Sequence, residues 1–216
     1  MTPTGAIVAI DQRGLFLGNR GSIHRAPREL ARAWQVRRWI TCALAYKGWR
    51  APMWEPRRWT PLFFWDEAVA LAAGHRPCAL CRHADYVAWQ DGWQAATGVR
   101  SGADDMDRRL HADRLDGRTQ RTHARSWRDL PDGSFVALAT DPAAPAAAAP
   151  VPTPALVFAD RLVPWLPVAA GYGPPVERPT RGDATVLSPS VTVDVLAAGY
   201  VPCLHPTATT ATRPHG

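Results

Sequence analysis

The sequence predicts an α+β fold, and three observations carry that prediction. Strand-like runs open the chain, amphipathic helix-like runs fill its middle, and a second strand-rich stretch follows a low-complexity segment. The 216 residues, 46% apolar and 20% charged, suit one larger domain or two small ones with a packed core. No apolar run approaches the ~20 residues that a membrane-spanning helix needs. The opening "MTPTGAIVAIDQRG" lacks the basic and apolar regions of a secretion signal. A cytoplasmic protein without membrane attachment is the expectation.

Taken in order, "GAIVAIDQRGLFLGNRG" alternates like a β-hairpin with its turn near Asp11 to Gly14. "APRELARAWQVRRW" reads as a helix, with Pro27 at its start and Leu30, Trp34 and Trp39 sharing an apolar face. "WITCALAYKGWR" has strand character, with a turn at Lys47-Gly48 and "PMWEPRRWT" as the return. "TPLFFWDEAVALAAG" predicts a helix capped by Thr60, with Pro61 in its first turn and Gly74 as its stop. "HADYVAWQDGWQAAT" and "DDMDRRLHADRL" predict two more helices, the latter turning Met106 and Leu110 inward. "LPDGSFVALAT", "ALVFADRLVPWLP" and "ATVLSPS" supply strands, and "SVTVDVLAAGY" a short helix closed by Gly199. The Ala/Pro-rich segment 141–154 reads as an exposed loop, too proline-rich for a regular helix. These elements divide into an α+β metal-binding unit over 1–125 and a small β-rich unit over 126–206. Residues 207–216 form a frayed tail, and the two units can pack as one body.

The chemistry centres on cysteine. Cys78 and Cys81 have C-x2-C spacing just after a helix stop, and Cys42 sits in a strand-like run. Such spacing lets two sulfurs reach one ion from a single turn, and zinc takes four ligands from thiolates and imidazoles. His24, after the first hairpin, is the leading fourth ligand. His75, Cys203 and His205, or water, stand as alternatives, and Cys42 alternatively reads as a small buried apolar residue. A thioredoxin-like redox motif fits poorly, because Pro77 precedes the pair and no βαβ pattern surrounds it.

The segment "DEAVALAAGHRPCALCRHAD" resembles the N-terminal metal-binding domain of the Ada DNA-repair family, closely over residues 66–85 and loosely over 42–82. The resemblance implies a small α+β zinc module that binds DNA. It places Cys78 and Cys81 as the paired downstream ligands and Cys42 in one of two upstream positions. In that family a second upstream cysteine lies close by, and the first of the two accepts a methyl group from a phosphotriester. No other cysteine lies near Cys42 here, so methyl transfer is not carried over. The whole chain also resembles bacterial proteins that combine "GNRGxxH", "WIxC", "GHRPCxxCR" and "GYxPxxH". That likeness supports His24 but brings no activity.

The formal charge is +6, and Lys47 is the one lysine among 25 basic residues. Arginine suits phosphate recognition. Arg20, Arg38, Arg50, Arg58, Arg76 and Arg82, interleaved with tryptophans, are the candidate nucleic-acid contacts. The bland alternative is core tryptophans beneath a solvated arginine face. The leading expectation is a Zn2+-binding, Ada-like module that binds DNA in repair or modification, with a structural metal. Two other classes remain open. One is a zinc-dependent enzyme, a thiolate methyl acceptor or a hydrolase, with a cleft between the units holding His111 and His205. The other is a zinc-stabilised scaffold. "RRLHADR" offers Asp107, His111 and Asp113 for acid–base work, although a charged helix face explains them equally.

Overall fold

The computed structural model describes residues 1–10, 13–51, 53–138, 152–166 and 171–211. Its strands and helices run in the order β1 (Phe16–Asn19), β2 (His24–Ala26), β3 (Glu29–Leu30), β4 (Ile40–Cys42), β5 (Ala45–Tyr46), β6 (Trp49–Arg50), β7 (Leu62–Phe64), α1 (Glu67–Ala72), β8 (Arg76–Pro77), α2 (His83–Thr97), α3 (Ala103–Arg114), β9 (Leu115–Asp116), β10 (Thr119–Gln120), β11 (His123–Ser126), β12 (Phe135–Leu138), β13 (Thr153–Phe158), β14 (Arg161–Leu166), β15 (Gly171–Tyr172), β16 (Val176–Glu177), β17 (Asp183–Val186), α4 (Ser190–Ala197) and α5 (Pro206–Ala211). The α+β class is observed.

Two larger sheets organise the molecule. A four-stranded sheet runs β7-β1-β4-β8, and a seven-stranded sheet runs β11-β17-β12-β13-β14-β15 with β16 also on β14. The short helix α1 lies between them, with every one of its residues buried. One core cluster joins Ile23, Phe64 and Val69 to Phe135, Leu156, Val163 and Trp165. A second places Trp89 and Trp93 of α2 and Met106 and Leu110 of α3 against Val191 and Val195 of α4. Phe64, Met106 and Leu110 are fully buried, each burial stabilising the fold by about 1.5–3 kcal/mol. Both clusters draw on residues from either side of position 125, so the halves share their core. No helix among the described residues is long and apolar enough to cross a membrane.

Helices α2, α3 and α4 form in the segments expected to be helical, and α2 ends at Gly98 in the left-handed conformation. The first sixty residues differ. The expected hairpin does not form among the described residues. Residues 6–10 carry no strand, Asp11 lies outside the described residues, and β1 pairs instead with β4 and β7. The helix expected from Pro27 is absent. Arg28 adopts φ 62° and turns the chain between β2 and β3, after which residues 31–39 run as loop. Leu30 is left exposed, so the 3.6-residue spacing there marks no buried stripe.

The turn at Lys47-Gly48 is present, with both residues at positive φ as a type I′ hairpin demands, but the return strand is only Trp49–Arg50. Helix α1 begins at Glu67 with Asp66 as N-cap rather than at Thr60, because Leu62–Phe64 is taken as a strand by β1. Most of the Ala/Pro-rich segment, and residues 212–216, lie outside the described residues. Residues 207–211 of the expected tail belong to helix α5.

Candidate metal centre

Strand pairing builds the site. Strands β4 and β8 run parallel with Ile40 beside Arg76 and Thr41 beside Pro77, which sets Cys42 and Cys78 at the next register step. The Cys78 N–H donates to the Thr41 carbonyl (2.9 Å), fixing that step. The chain then turns, the Arg82 N–H donating back to the Cys78 carbonyl (3.1 Å), before α2 opens at His83. This turn swings Cys81 back, and the sulfurs of Cys42, Cys78 and Cys81 lie within 4.8 Å of one another. Leu17 packs against Cys42 and Cys78, with Ile40, Leu44, Ala51 and Trp59 around them.

Backbone donors point at two of the sulfurs: Ala43 N–H to Cys81 Sγ and Leu80 N–H to Cys78 Sγ, each 3.4 Å. Such donors stabilise negative charge on sulfur. Hydrogen bonding from Cys42, then Cys81, holds the Cys78 thiol far below its ordinary range. The hydrogen bond to Cys78, then that to Cys81, together with burial, pushes the Cys42 thiol far up. Three thiolates this close repel one another, so without a cation the full set of negative charges is disfavoured. A divalent cation removes that conflict by binding every thiolate. Zinc–sulfur bonds of about 2.3 Å in a tetrahedron set sulfurs about 3.8 Å apart, so the cluster fits a metal ion with little contraction. Three cysteines can hold a metal here.

The expected fourth ligand is elsewhere. Thr60 Oγ1 lies 2.6 Å from His24 Nδ1 and the Glu55 carbonyl 3.1 Å from its Nε2, while Trp54 meets the ring edge. Both ring nitrogens are engaged, because β2 pairs with β3 instead of lying beside Cys42. His75 is fully buried between Trp39 and Phe64, and its Nε2 accepts from Arg20 Nε (3.4 Å). Cys203 is exposed and donates its N–H to Glu67, and His205 stacks on Trp65. His111 meets Trp34 and Trp39, Asp107 pairs with Arg76, and Asp113 accepts from the Val191 N–H. None of these belongs to the cysteine cluster.

The six candidate arginines divide evenly. Arg20, Arg76 and Arg82 are buried. Arg76 forms two hydrogen bonds to Asp107 (2.9 and 2.7 Å), and Arg82 pairs with Glu67 (2.8 Å) and Asp85 (2.9 Å). The Arg76 and Arg82 guanidiniums are thus spent on carboxylates inside the protein, while Arg20 reaches only carbonyls and His75. Arg38, Arg50 and Arg58 are exposed, although Arg38 hydrogen-bonds Asp104 (3.2 Å) and Arg58 approaches Glu55 (3.7 Å).

Sequence reasoning also passed over residues that organise the interior. Asp66 accepts from Val69 N–H, Tyr172 Oη–H and His205 N–H, and Glu67 accepts from Tyr200 Oη–H and Cys203 N–H besides its Arg82 pair. The signal was the acidic pair in "WDEAV", which reads as ordinary helix-start chemistry until its distant partners are known. Arg114, at the end of a charged helix, gave no signal at all.

No protein-family model, no curated protein and no solved structure matches the chain.

Proposed function

We propose that Cys42, Cys78 and Cys81 bind zinc, and that the zinc fastens the hairpin that follows Cys42 so that its exposed face grips nucleic acid, in DNA repair or modification. The convergence of three thiols from two separate strands carries this reading. Thiolates favour zinc among the common divalent ions, and the resemblance to the Ada module points the same way. Ala51 and Trp59 pack on the cluster, so the metal site and the segment 45–60 are mechanically joined. That segment exposes Lys47, Arg50, Arg57 and Arg58, and Trp49, 48% exposed, lies 5.9 Å from the Trp59 ring. Cations beside an exposed aromatic ring suit a phosphate backbone with unstacked bases.

Native mass spectrometry of the purified chain should show one zinc per molecule, lost in Cys78→Ser; a metal-free protein of unchanged stability would sink the metal claim. Affinity for single-stranded DNA should fall steeply with salt, and Trp49→Ala should weaken it by about tenfold, the worth of one stacked base. Equal binding by wild type and Trp49→Ala, or none at low salt, removes the nucleic-acid claim.

A second reading rests on the ligand count. Among the described residues the cluster has three protein ligands, the number found in zinc sites that take water or substrate in the fourth position. A mass gain on Cys42 after incubation with a methyl phosphotriester, or hydrolysis abolished by Cys78→Ser, would favour a reactive metal over a structural one.

A further inference from the structure

The C-terminal end of α1 holds two buried cations with no anion beside them among the described residues. The Arg20 and Arg114 guanidiniums both lie over the Trp39 ring, their central carbons 3.7 and 3.6 Å from its centroid. The two residues are 3% and 2% exposed. Arg20 donates to the carbonyls of Gly5 (3.1 Å) and Ala73 (3.4 Å) and to His75. Arg114 donates to the carbonyls of Gly74 (2.6 Å) and Arg37 (2.7 Å) and meets His111 Nδ1 (2.7 Å). Carbonyl oxygens satisfy N–H groups but do not neutralise charge. Among the described residues no carboxylate lies within ion-pair distance of either guanidinium. Asp107 attracts Arg114 from further away but is already bound by Arg76.

An unpaired buried charge is costly, and two side by side are costlier. Burial pushes the Arg20 guanidinium down to about 9. Burial, then the neighbouring Arg20, pushes Arg114 down to about 8. Each guanidinium makes fewer hydrogen bonds than its donors allow, and Arg114 Nε is buried with no partner at all.

Beside them is a cavity of about 90 Å³, lined by Arg20, Arg114, Thr4, Trp34, Trp39 and Arg118 among others. Arg118 and Ala33, which also lines it, are exposed, so the cavity opens to solvent. One water needs about 10–15 Å³ of such space, and a drug-sized molecule fills about 300 Å³ or more. The volume therefore suits a small polyatomic ion.

We propose that this cavity binds a phosphate dianion, either free or as the end of a phosphomonoester, between Arg20 and Arg114 with Arg118 at its mouth. Two buried positive charges match the dianion's charge. Guanidinium forks match its oxygen geometry, and Arg20, Arg114 and Arg118 all line the cavity. The site is separate from the cysteine cluster and does not depend on the metal reading.

Isothermal titration calorimetry of the full chain with inorganic phosphate, at constant ionic strength in chloride, tests it. One saturable site is expected. Arg118→Ala and Ala33→Glu alter exposed positions and should leave the fold intact. Each should weaken phosphate by about tenfold, the worth of one charged hydrogen bond or an added repulsion. Methyl phosphate serves as a second ligand: comparable affinity identifies a monoester end, and binding of inorganic phosphate alone identifies the free ion. Absence of saturable binding to the wild type overturns the proposal, as does affinity unchanged in both variants.

Discussion

The two ends of helix α1 handle buried charge in opposite ways. At its N-terminus Asp66 and Glu67 are buried, yet donors from Tyr172, Tyr200, Cys203, His205 and Arg82 complete both carboxylates. At its C-terminus Arg20 and Arg114 are equally buried but are held by the carbonyls of Ala73 and Gly74, with no carboxylate in ion-pair range among the described residues. Both placements agree with the helix dipole, which favours anions at the first end and cations at the second. Only the first is finished by the chain itself. The carboxylates bind the "GYVPCLH" segment to the N-terminal half, a role in architecture. The arginines are left in surplus beside an open cavity, a role in binding.

Removing one member from each end should separate the two. Glu67→Ala leaves Arg82 buried without its shorter ion pair and strips acceptors from Tyr200 and Cys203. The expected loss is about 3–5 kcal/mol in urea unfolding. Arg114→Gln removes a cation that has no anion, so relief of its burial offsets much of what its lost hydrogen bonds contributed. The expected loss is under about 2 kcal/mol. Equal losses would mean that the arginine end is as complete as the carboxylate end, and the contrast between them would fail.

The sequence made the cysteine cluster far easier to read than either end of α1. The cysteine cluster was legible because C-x2-C spacing is a local signal, and a strand-borne Cys42 needed only one parallel pairing to join it. Helix α3 was legible because Met106 and Leu110 recur at helical spacing, and both are buried. His24 lies apart from the cysteines because β2 pairs with β3 while β1 is flanked by β4 and β7, a long-range choice that no local pattern encodes. The segment 27–39 carries helical spacing, but Pro27 and Arg28 make a turn and Trp39 is buried by guanidiniums rather than by an apolar face. Arg20 and Arg114 are 94 positions apart, and nothing in either neighbourhood announces that they meet.

A smaller effect probes the arginine end through its backbone. Gly74 has φ 81°, and a Cβ there would lie 2.4 Å from Arg114 Cδ. Gly74→Ala therefore combines a left-handed conformation that costs an L-residue about 1–2 kcal/mol with displacement of the Arg114 stem. Stability should fall by about that much in urea unfolding, and phosphate affinity should fall with it. Lost stability with phosphate affinity intact would show that the position of Arg114 does not matter to the anion.

The smallest effect is a slope, and it sets the two ends against each other. Burial raises the Asp66 carboxyl from 3.8 to about 6. Between these values the folded state holds a proton that the unfolded chain has released, so stability from this group falls as pH rises and grows on acidification. His75 is the opposite case. Burial first, then Arg20 and Arg114, hold it well below 6.5. Below pH 6.5 the unfolded chain takes up a proton that the folded state refuses, so stability falls on acidification. Between about pH 6 and 4 the two slopes oppose, each about 1.4 kcal/mol per pH unit at most. Asp66→Asn removes the first and leaves the second. Its stability, measured by urea unfolding at several pH values, should therefore drop more steeply than that of the wild type from pH 6 to 4. Parallel curves would mean that Asp66 is already ionised across that range, and the carboxylate end would then be held by its donors even more firmly than its burial suggests.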